Sequence, residues 1–410
     1  METVSQRKNR PHYAWFVCAG SALLLFCTSG LCINAFTIFQ PYILSENGFT
    51  NAQSSLLVTV RSLTSFAAML LCGVYYRRLS LRAGMAAAGA MAAGGFFAFG
   101  AAKSYAAYCG AAGLVGLGYG FGTMIPVSVV MEHWFIRKRN LAVGICSSVT
   151  GLATLGFPSL LTWLIETLGL RRAFFAEGAF IALLVALSAL LVRSRPSDIG
   201  LKPYGEWEHV EDVKLTRRTG RLPRSGWALM VPVLLCVGAF TSVGYSHLTM
   251  LVRGEGFSAH TTALAITVSG VTLMLGKFGY GWLTERLGAR RCNWLFGAFL
   301  VTGLILCCVT RGSRVLLFTA MVVYGLGLPL GTVGLTAWAG DLSSQETYDA
   351  TVQRLQVGYA AGGLVFSTLP GLLADRFGGS YVPAYIFFLL CAVFSILSIQ
   401  WIYKSSGVQR

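Results

Sequence analysis

Acidic side chains are scarce in this chain: 16 Asp and Glu stand against 32 Lys and Arg in 410 residues, and charged residues make up only 12% of it. A soluble chain carries about 25%, so this composition excludes an ordinary water-soluble domain. Catalytic signatures are missing as well. No His-Glu-x-x-His, Gly-x-Ser-x-Gly or Walker sequence occurs, which argues against the enzyme classes built on them. The 11 cysteines sit mostly in apolar segments, as Cys27, Cys32, Cys146 and Cys307-Cys308 do, with no metal-ligand spacing to histidine. They read as small apolar packing residues, and neither metal nor cofactor is expected. The net charge of +16 is not gathered into one basic face, because Lys and Arg cluster in short loops between apolar segments. There they set topology and meet anionic lipid, so no nucleic-acid partner is expected.

What the chain does have is long apolar runs: 55% of residues are hydrophobic. Candidate spans fall near 13–39, 53–76, 83–102, 105–131, 140–165, 173–192, 227–251, 261–284, 293–310, 315–339, 350–374 and 382–403. Each is about 18–27 residues, long enough to cross a bilayer. The first is longer than a signal-peptide core and has no clear cleavage site, so it is expected to stay attached. The spans predict an all-α membrane protein with twelve transmembrane helices in two pseudo-symmetric six-helix bundles. The predicted bundles are 1–192 and 227–410, and the polar, proline-containing stretch 193–226 is a linker. An even number of spans puts both ends on one side. About 22 Lys and Arg fall on that side and about 7 opposite, which predicts cytoplasmic termini.

The halves repeat each other. Gly48–Arg82 aligns without a gap on Gly256–Arg290 at an offset of 208 residues, through pairs such as Gly48/Gly256, Thr64/Thr272, Gly73/Gly281, Arg78/Arg286 and Arg82/Arg290. Shared Leu and Val would arise between any two apolar helices; a shared Gly-Phe start and a shared Gly…Arg…Arg exit would not. Gly116-Leu-Gly-Tyr-Gly-Phe-Gly-Thr123 in the fourth span returns as Gly325-Leu-Gly-Leu-Pro-Leu-Gly-Thr332 in the tenth. Such glycines permit close helix approach and are compatible with a hinge.

These features resemble the major facilitator superfamily. The stretch after the eighth span, Gly281-Trp-Leu-Thr-Glu285-Arg286-Leu-Gly288-Ala-Arg290-Arg291, is similar to that family's G-x-x-x-D-R-x-G-R-R signature, with Glu285 in the acidic place. The resemblance implies a gating role for Gly281, Glu285, Arg286, Gly288 and Arg290. The counterpart after the second span departs from it: Arg77 stands at the acidic position and Ser80 at the second glycine. A narrower resemblance, to monocarboxylate transporters and oxalate/formate exchangers, rests on two stretches. One is Trp134-Phe-Ile-Arg137-Lys138-Arg139-Asn-Leu141-Ala142-Val-Gly144. The other is Arg195-Pro196-Ser-Asp-Ile-Gly200-Leu201-Lys-Pro203-Tyr204-Gly205. Where animal monocarboxylate transporters carry an acid one turn before the eighth-span cation, this chain has Leu273.

A cation inside a span costs ~2.5–3.5 kcal/mol on insertion scales, so it usually faces a cavity or a partner. Lys277 lies one turn before Gly281, where the resemblance places a carboxylate-binding cation; the alternative is snorkelling to the interface. Arg61 either lines the cavity or meets backbone carbonyls between helices. Arg354 reads as a gate or surface ion pair, with anion binding as the reading drawn from the oxalate exchangers. His247 could titrate near neutral pH or simply hydrogen-bond. Tyr119 and Asn34 are secondary cavity candidates. The interiors of six spans lack any acid, and Glu132, Glu166 and Glu177 are placed toward span ends. Cations without a central acid favour an anionic substrate.

The expected function is therefore secondary active or facilitative transport of small organic anions, mono- or dicarboxylates, across the cytoplasmic (inner) membrane by alternating access, by a monomer. Export of drugs or other lipophilic compounds on the same fold is the alternative. A ligand sensor is disfavoured, because the linker and tails are short.

Overall fold

The computed structural model describes residues 12–49, 51–155, 157–205, 224–310 and 312–406. Most of the expected linker, residues 206–223, lies outside them. Among the described residues, eleven helices are long and apolar enough to cross a membrane. The first rod, α1, runs through Ala14–Leu25, a π-helical stretch Phe26–Ala35, and Phe36–Asn47. Then come α2 (Asn51–Arg78), α3 (Leu81–Ala101), α4 (Tyr105–Phe121 with Met124–Trp134) and α6 (Leu170–Leu191).

The twelfth apolar segment, α5, is where the structure corrects the expectation of an unbroken helix over 140–165. It is helical over Arg139–Ser148, tightens to a 3₁₀ stretch at Val149–Thr154, and resumes as Phe157–Leu168. Ser148, Thr150 and Gly151 explain the break. The Ser148 hydroxyl donates to the Ile145 carbonyl and Thr150 to that of Ser147, bonds that compete with the helical ladder.

The second bundle repeats the plan. Here α7 is segmented (Arg224–Gly238, Ala239–Val243, Gly244–Ser246, Leu248–Gly254). It is followed by α8 (Ala259–Leu287) and α9 (Ala289–Cys308). Next, α10 is Arg314–Gly327, a 3₁₀ turn Leu328–Gly331 and Val333–Leu342. Last are α11 (Tyr348–Val365 with Leu369–Arg376) and α12 (Val382–Ser405).

Glycine sets the close crossings that the repeat announced. A Cβ on Gly116 would strike Thr64 and the Arg61 carbonyl, and one on Gly325 would strike Thr272 and the Ser269 carbonyl. At the 208-residue offset Thr64 pairs with Thr272 and Arg61 with Ser269, so α2–α4 and α8–α10 are the same contact made twice.

The chain's two described ends and the start of the linker share one face. Tyr13 donates to the Leu191 carbonyl, Trp134 Nε1 to the Arg193 carbonyl, and Tyr403 to Asp341 Oδ2. We call this the linker face. Tyr204 forms a one-residue β-bridge with Phe135, and its ring packs among His12, Trp15 and Phe135. The two stretches that carry the narrower resemblance are thus docked on each other.

Candidate functional site: a cavity between the bundles and the contacts beneath it

A cavity of about 250 Å³ lies between the bundles, lined from α1, α2, α4 and α5 on one side and α7, α8, α10 and α11 on the other. Lys277 of α8 reaches it. The side chain is 9% exposed, and its ammonium donates to the Thr150 hydroxyl at 3.0 Å and to the Ser147 carbonyl at 3.4 Å, both in broken α5. Among the described residues no carboxylate pairs with it. An ammonium has three donors and no acceptor, so one donor is left for the cavity. The 3₁₀ break in α5 is what turns these two oxygens toward Lys277.

Hydroxyls and amides make up the polar wall. Tyr119 and Tyr359, one from each bundle, both line the cavity, with Ser29, Thr241, Ser242 and Tyr245. Gln356 of α11 lines it too, and its amide nitrogen is buried with no hydrogen-bond partner among the described residues. The rest of the wall is apolar, including Met69, Met124, Leu273 and Met274. Met69 sits at the 208-residue offset from Lys277, so the repeat places a cation on one side of the cavity and a thioether on the other.

The other expected residues lie elsewhere. Arg61 is 7% exposed and does not line the cavity. It donates to the Cys32 carbonyl at 3.2 Å and lies over the Phe36 ring at 5.1 Å. Cys32 lies near the end of the π-helical stretch, where the i+5 bonding pattern returns to i+4. Of the two readings of Arg61, lining the cavity or meeting a backbone carbonyl between helices, the structure shows the second contact. Arg354 is exposed against Trp227, 5.6 Å from its ring, away from the cavity. His247 ends the short helix Gly244–Ser246, bonds to the Val243 carbonyl and stacks on Tyr381. The side chain of Asn34 lies outside the described residues.

Two acids placed toward span ends are also buried. Glu177 of α6 is 3% exposed, and one of its oxygens lacks a partner among the described residues. Glu132 at the end of α4 is buried and receives Arg139 at 2.5 Å. Neither lines the cavity.

Contacts between the bundles gather below the cavity, at the linker face. A Cβ on Gly281 would strike the Asn140 carbonyl, and one on Gly144 would meet the Lys277 carbonyl at 2.9 Å, so α5 and α8 touch backbone to backbone. Glu285 Oε1 accepts the Asn140 backbone N–H at 2.6 Å. That places a carboxylate on a helix N-terminus, where the unsatisfied N–H groups and the helix dipole favour negative charge. Lys138, just before that helix, has φ = 60°, the one left-handed non-glycine among the described residues. Arg286 stacks on Trp282 at 4.1 Å. Gly288 turns the chain into α9 at φ = 80°, and the Arg290 carbonyl accepts from Gln400. Arg139, held by Glu132, crosses to the second bundle, lying over the Tyr348 ring at 5.2 Å and against Gly340. Sequence reading took Arg139 only as part of a motif; its buried partner on α4, seven residues earlier, was the available signal. On the α2–α11 side, Gln353 donates to the Met69 and Leu70 carbonyls.

A family model described as Major Facilitator Superfamily matches residues 22–258 and 248–407. The chain belongs to the Major Facilitator Superfamily. The members of this family are transporters, not enzymes, and this chain is a multi-pass membrane transporter. Mouse Monocarboxylate transporter 12 is 24% identical over 94% of this chain and 84% of its own length. Bovine Monocarboxylate transporter 13 is 26% identical over 64% of this chain and 60% of its own length. Among solved structures, the superfamily transporter FucP in its outward conformation superposes with a TM-score of 0.70 at 18% identity, covering 95% of this chain and 99% of its own. That likeness carries the fold.

Proposed function

We propose that this transporter moves small organic anions, mono- or dicarboxylates, by alternating access, with Lys277 as the substrate-binding cation. The observation that carries the reading is the Lys277 ammonium, lining a cavity between the bundles with no carboxylate beside it among the described residues. Hydroxyl and amide donors around it suit the oxygens of an anion, and Gln356 supplies a donor that has no partner among the described residues. The cavity is also small. Sites for drug-sized ligands run about 300–1,000 Å³, which weighs against the lipophilic-exporter reading despite the apolar part of the wall. The monocarboxylate names of the relatives point the same way.

The mechanism follows from what Lys277 holds. With the cavity empty, the ammonium ties α8 to α5 across the bundle interface. A substrate carboxylate competes for those donors, so binding alters a contact between the halves as well as filling the cavity. A shut linker face corresponds to the outward-facing state. With the positive bias of the linker-face loops, this face is cytoplasmic and the protein lies in the cytoplasmic membrane.

Counterflow in proteoliposomes tests the substrate class. Vesicles are loaded with unlabelled oxalate, formate, lactate, pyruvate or succinate and given the labelled compound outside, with and without a pH gradient. Saturable uptake of one anion is expected. Uptake of none, by folded protein that instead moves uncharged or cationic dyes, would replace the anion reading with the exporter one.

A further inference from the structure

The two inter-bundle contacts at the linker face are built on the same repeat, yet they carry opposite charges. At the α5–α8 contact the second bundle supplies the acid, Glu285, and the first bundle the N-terminus of α5 beside Lys138 and Arg139. At the 208-residue offset Glu285 pairs with Arg77 and Asn140 with Tyr348, the first residue of α11. A guanidinium in Glu285's place would face a helix N-terminus of its own sign. Here, however, that N-terminus carries Glu346 and Asp349, whereas the start of α5 carries no acid.

A cavity of about 740 Å³ separates the two banks of this second contact. Arg77, His133 and Arg195 line it from the first bundle and the linker start, and Glu346 and Asp349 from the second bundle. Asp198, the remaining charged group in the lining, accepts the Arg195 backbone N–H. Asp349 is within electrostatic reach of His133 and Arg195 across the cavity, and of Glu132, which Arg139 already holds. Every charge from the second bundle in this lining is acidic. Both fixed cations, Arg77 and Arg195, come from the other side, with the His133 imidazole beside them. At the α5–α8 contact the acid is again on the second bundle, where Glu285 meets the bank of Arg137 and Lys138, although Arg286 of the second bundle lines that cavity too.

We propose that the α2–α11 contact is a charge-inverted gate, in which Arg77, with His133 and Arg195, attracts Glu346 and Asp349 and holds the linker face shut. This deepens the transport reading and rests on it for the existence of a gate, but not on the identity of the substrate. The reading assigns Arg77 as a positioning residue, and it predicts that placing there the acid of the G-x-x-x-D-R-x-G-R-R signature is harmful.

Native Cys72 gives a readout that needs no substrate. It lies on α2, lines this cavity and is 1% exposed. Labelling by a membrane-impermeant maleimide from the linker face, taken as the difference between each variant with Cys72 and the same variant carrying Cys72→Ser, reports opening. Arg77→Asp and Arg77→Glu should raise it about three- to fivefold, the range for a few exposed charge contacts. Arg77→Gln should raise it less, and Arg77→Lys should leave it near the parent. Adding Glu346→Arg and Asp349→Arg to Arg77→Glu should bring it back toward the parent. Labelling of Arg77→Asp equal to the parent would overturn the proposal, and so would a charge swap no better than Arg77→Glu alone. If the acidic variants fail to fold, the Arg77→Gln and Arg77→Lys pair decides: equal labelling of the two overturns it. Because labelling is read without transport, a failure here is distinct from a failure of the carboxylate reading.

Discussion

Lys277 and Arg61 are both cations inside apolar spans, and their neighbours separate them. Lys277 has two oxygen partners, both in the other bundle, and a donor facing the cavity. Arg61 has a carbonyl and an aromatic face inside its own bundle. Replacing Lys277 by Gln is therefore expected to lower anion uptake at least about tenfold, with little loss of thermal stability, as uptake and a melting curve of the same preparation would show; removing a buried charge without a counter-charge relieves desolvation rather than orphaning a partner. Arg61→Ala should do the reverse. It removes a charged-donor bond between helices, at a cost of about 1.5–3 kcal/mol, read as a lowered melting temperature with KM nearly unchanged in the protein that remains folded. Gln356→Leu removes a donor that lines the cavity without a partner among the described residues, so KM for the anion should rise several-fold while stability holds or improves, in a side-by-side kinetic and melting comparison.

Among the elements, α5 and α8 carry the central contact. Their backbones touch at Gly144 and Gly281, and Glu285 caps α5 from across the interface. Gly281→Ala places a methyl on the Asn140 carbonyl, and neither backbone can yield without parting the helices. Loss of most transport is expected, with each bundle still folded, as limited proteolysis and uptake would show. Gly73→Ala is expected to be milder, because the atom a Cβ would meet, at 2.6 Å, is the end of the Gln353 side chain. The repeat and the Gly281-to-Arg291 signature made this element legible in sequence, as did the position of Lys277 one turn before Gly281. The partner of Lys277 was not legible. It depends on the 3₁₀ break at Val149–Thr154, and a run of small and β-branched residues inside an apolar segment does not announce a break by hydropathy. Nor was Arg61's bond, which depends on how α1 packs against α2 at Cys32.

At the scale of the whole molecule, the fold was readable almost entirely, because a bilayer demands long apolar helices and the repeat supplies the symmetry. The site was readable only in part. Spacing along a helix shows that a cation is intramembrane, but which bundle it faces is set by rotation about the helix axis, and that is fixed by packing against helices distant in sequence. Glu177 shows the same limit, since its place near the start of α6 hid its burial. The proposed machine has a linker face held shut by contacts between the bundles, a small cavity above it, and one cation that links the halves while facing that cavity. The most direct test of that arrangement is counterflow of the anion the parent transports, run on the parent and on Lys277→Gln in matched proteoliposomes. The account predicts saturable uptake by the parent and near-background uptake by the variant, with the two proteins equally folded. Full uptake by Lys277→Gln would contradict it and leave the cation with a structural role alone.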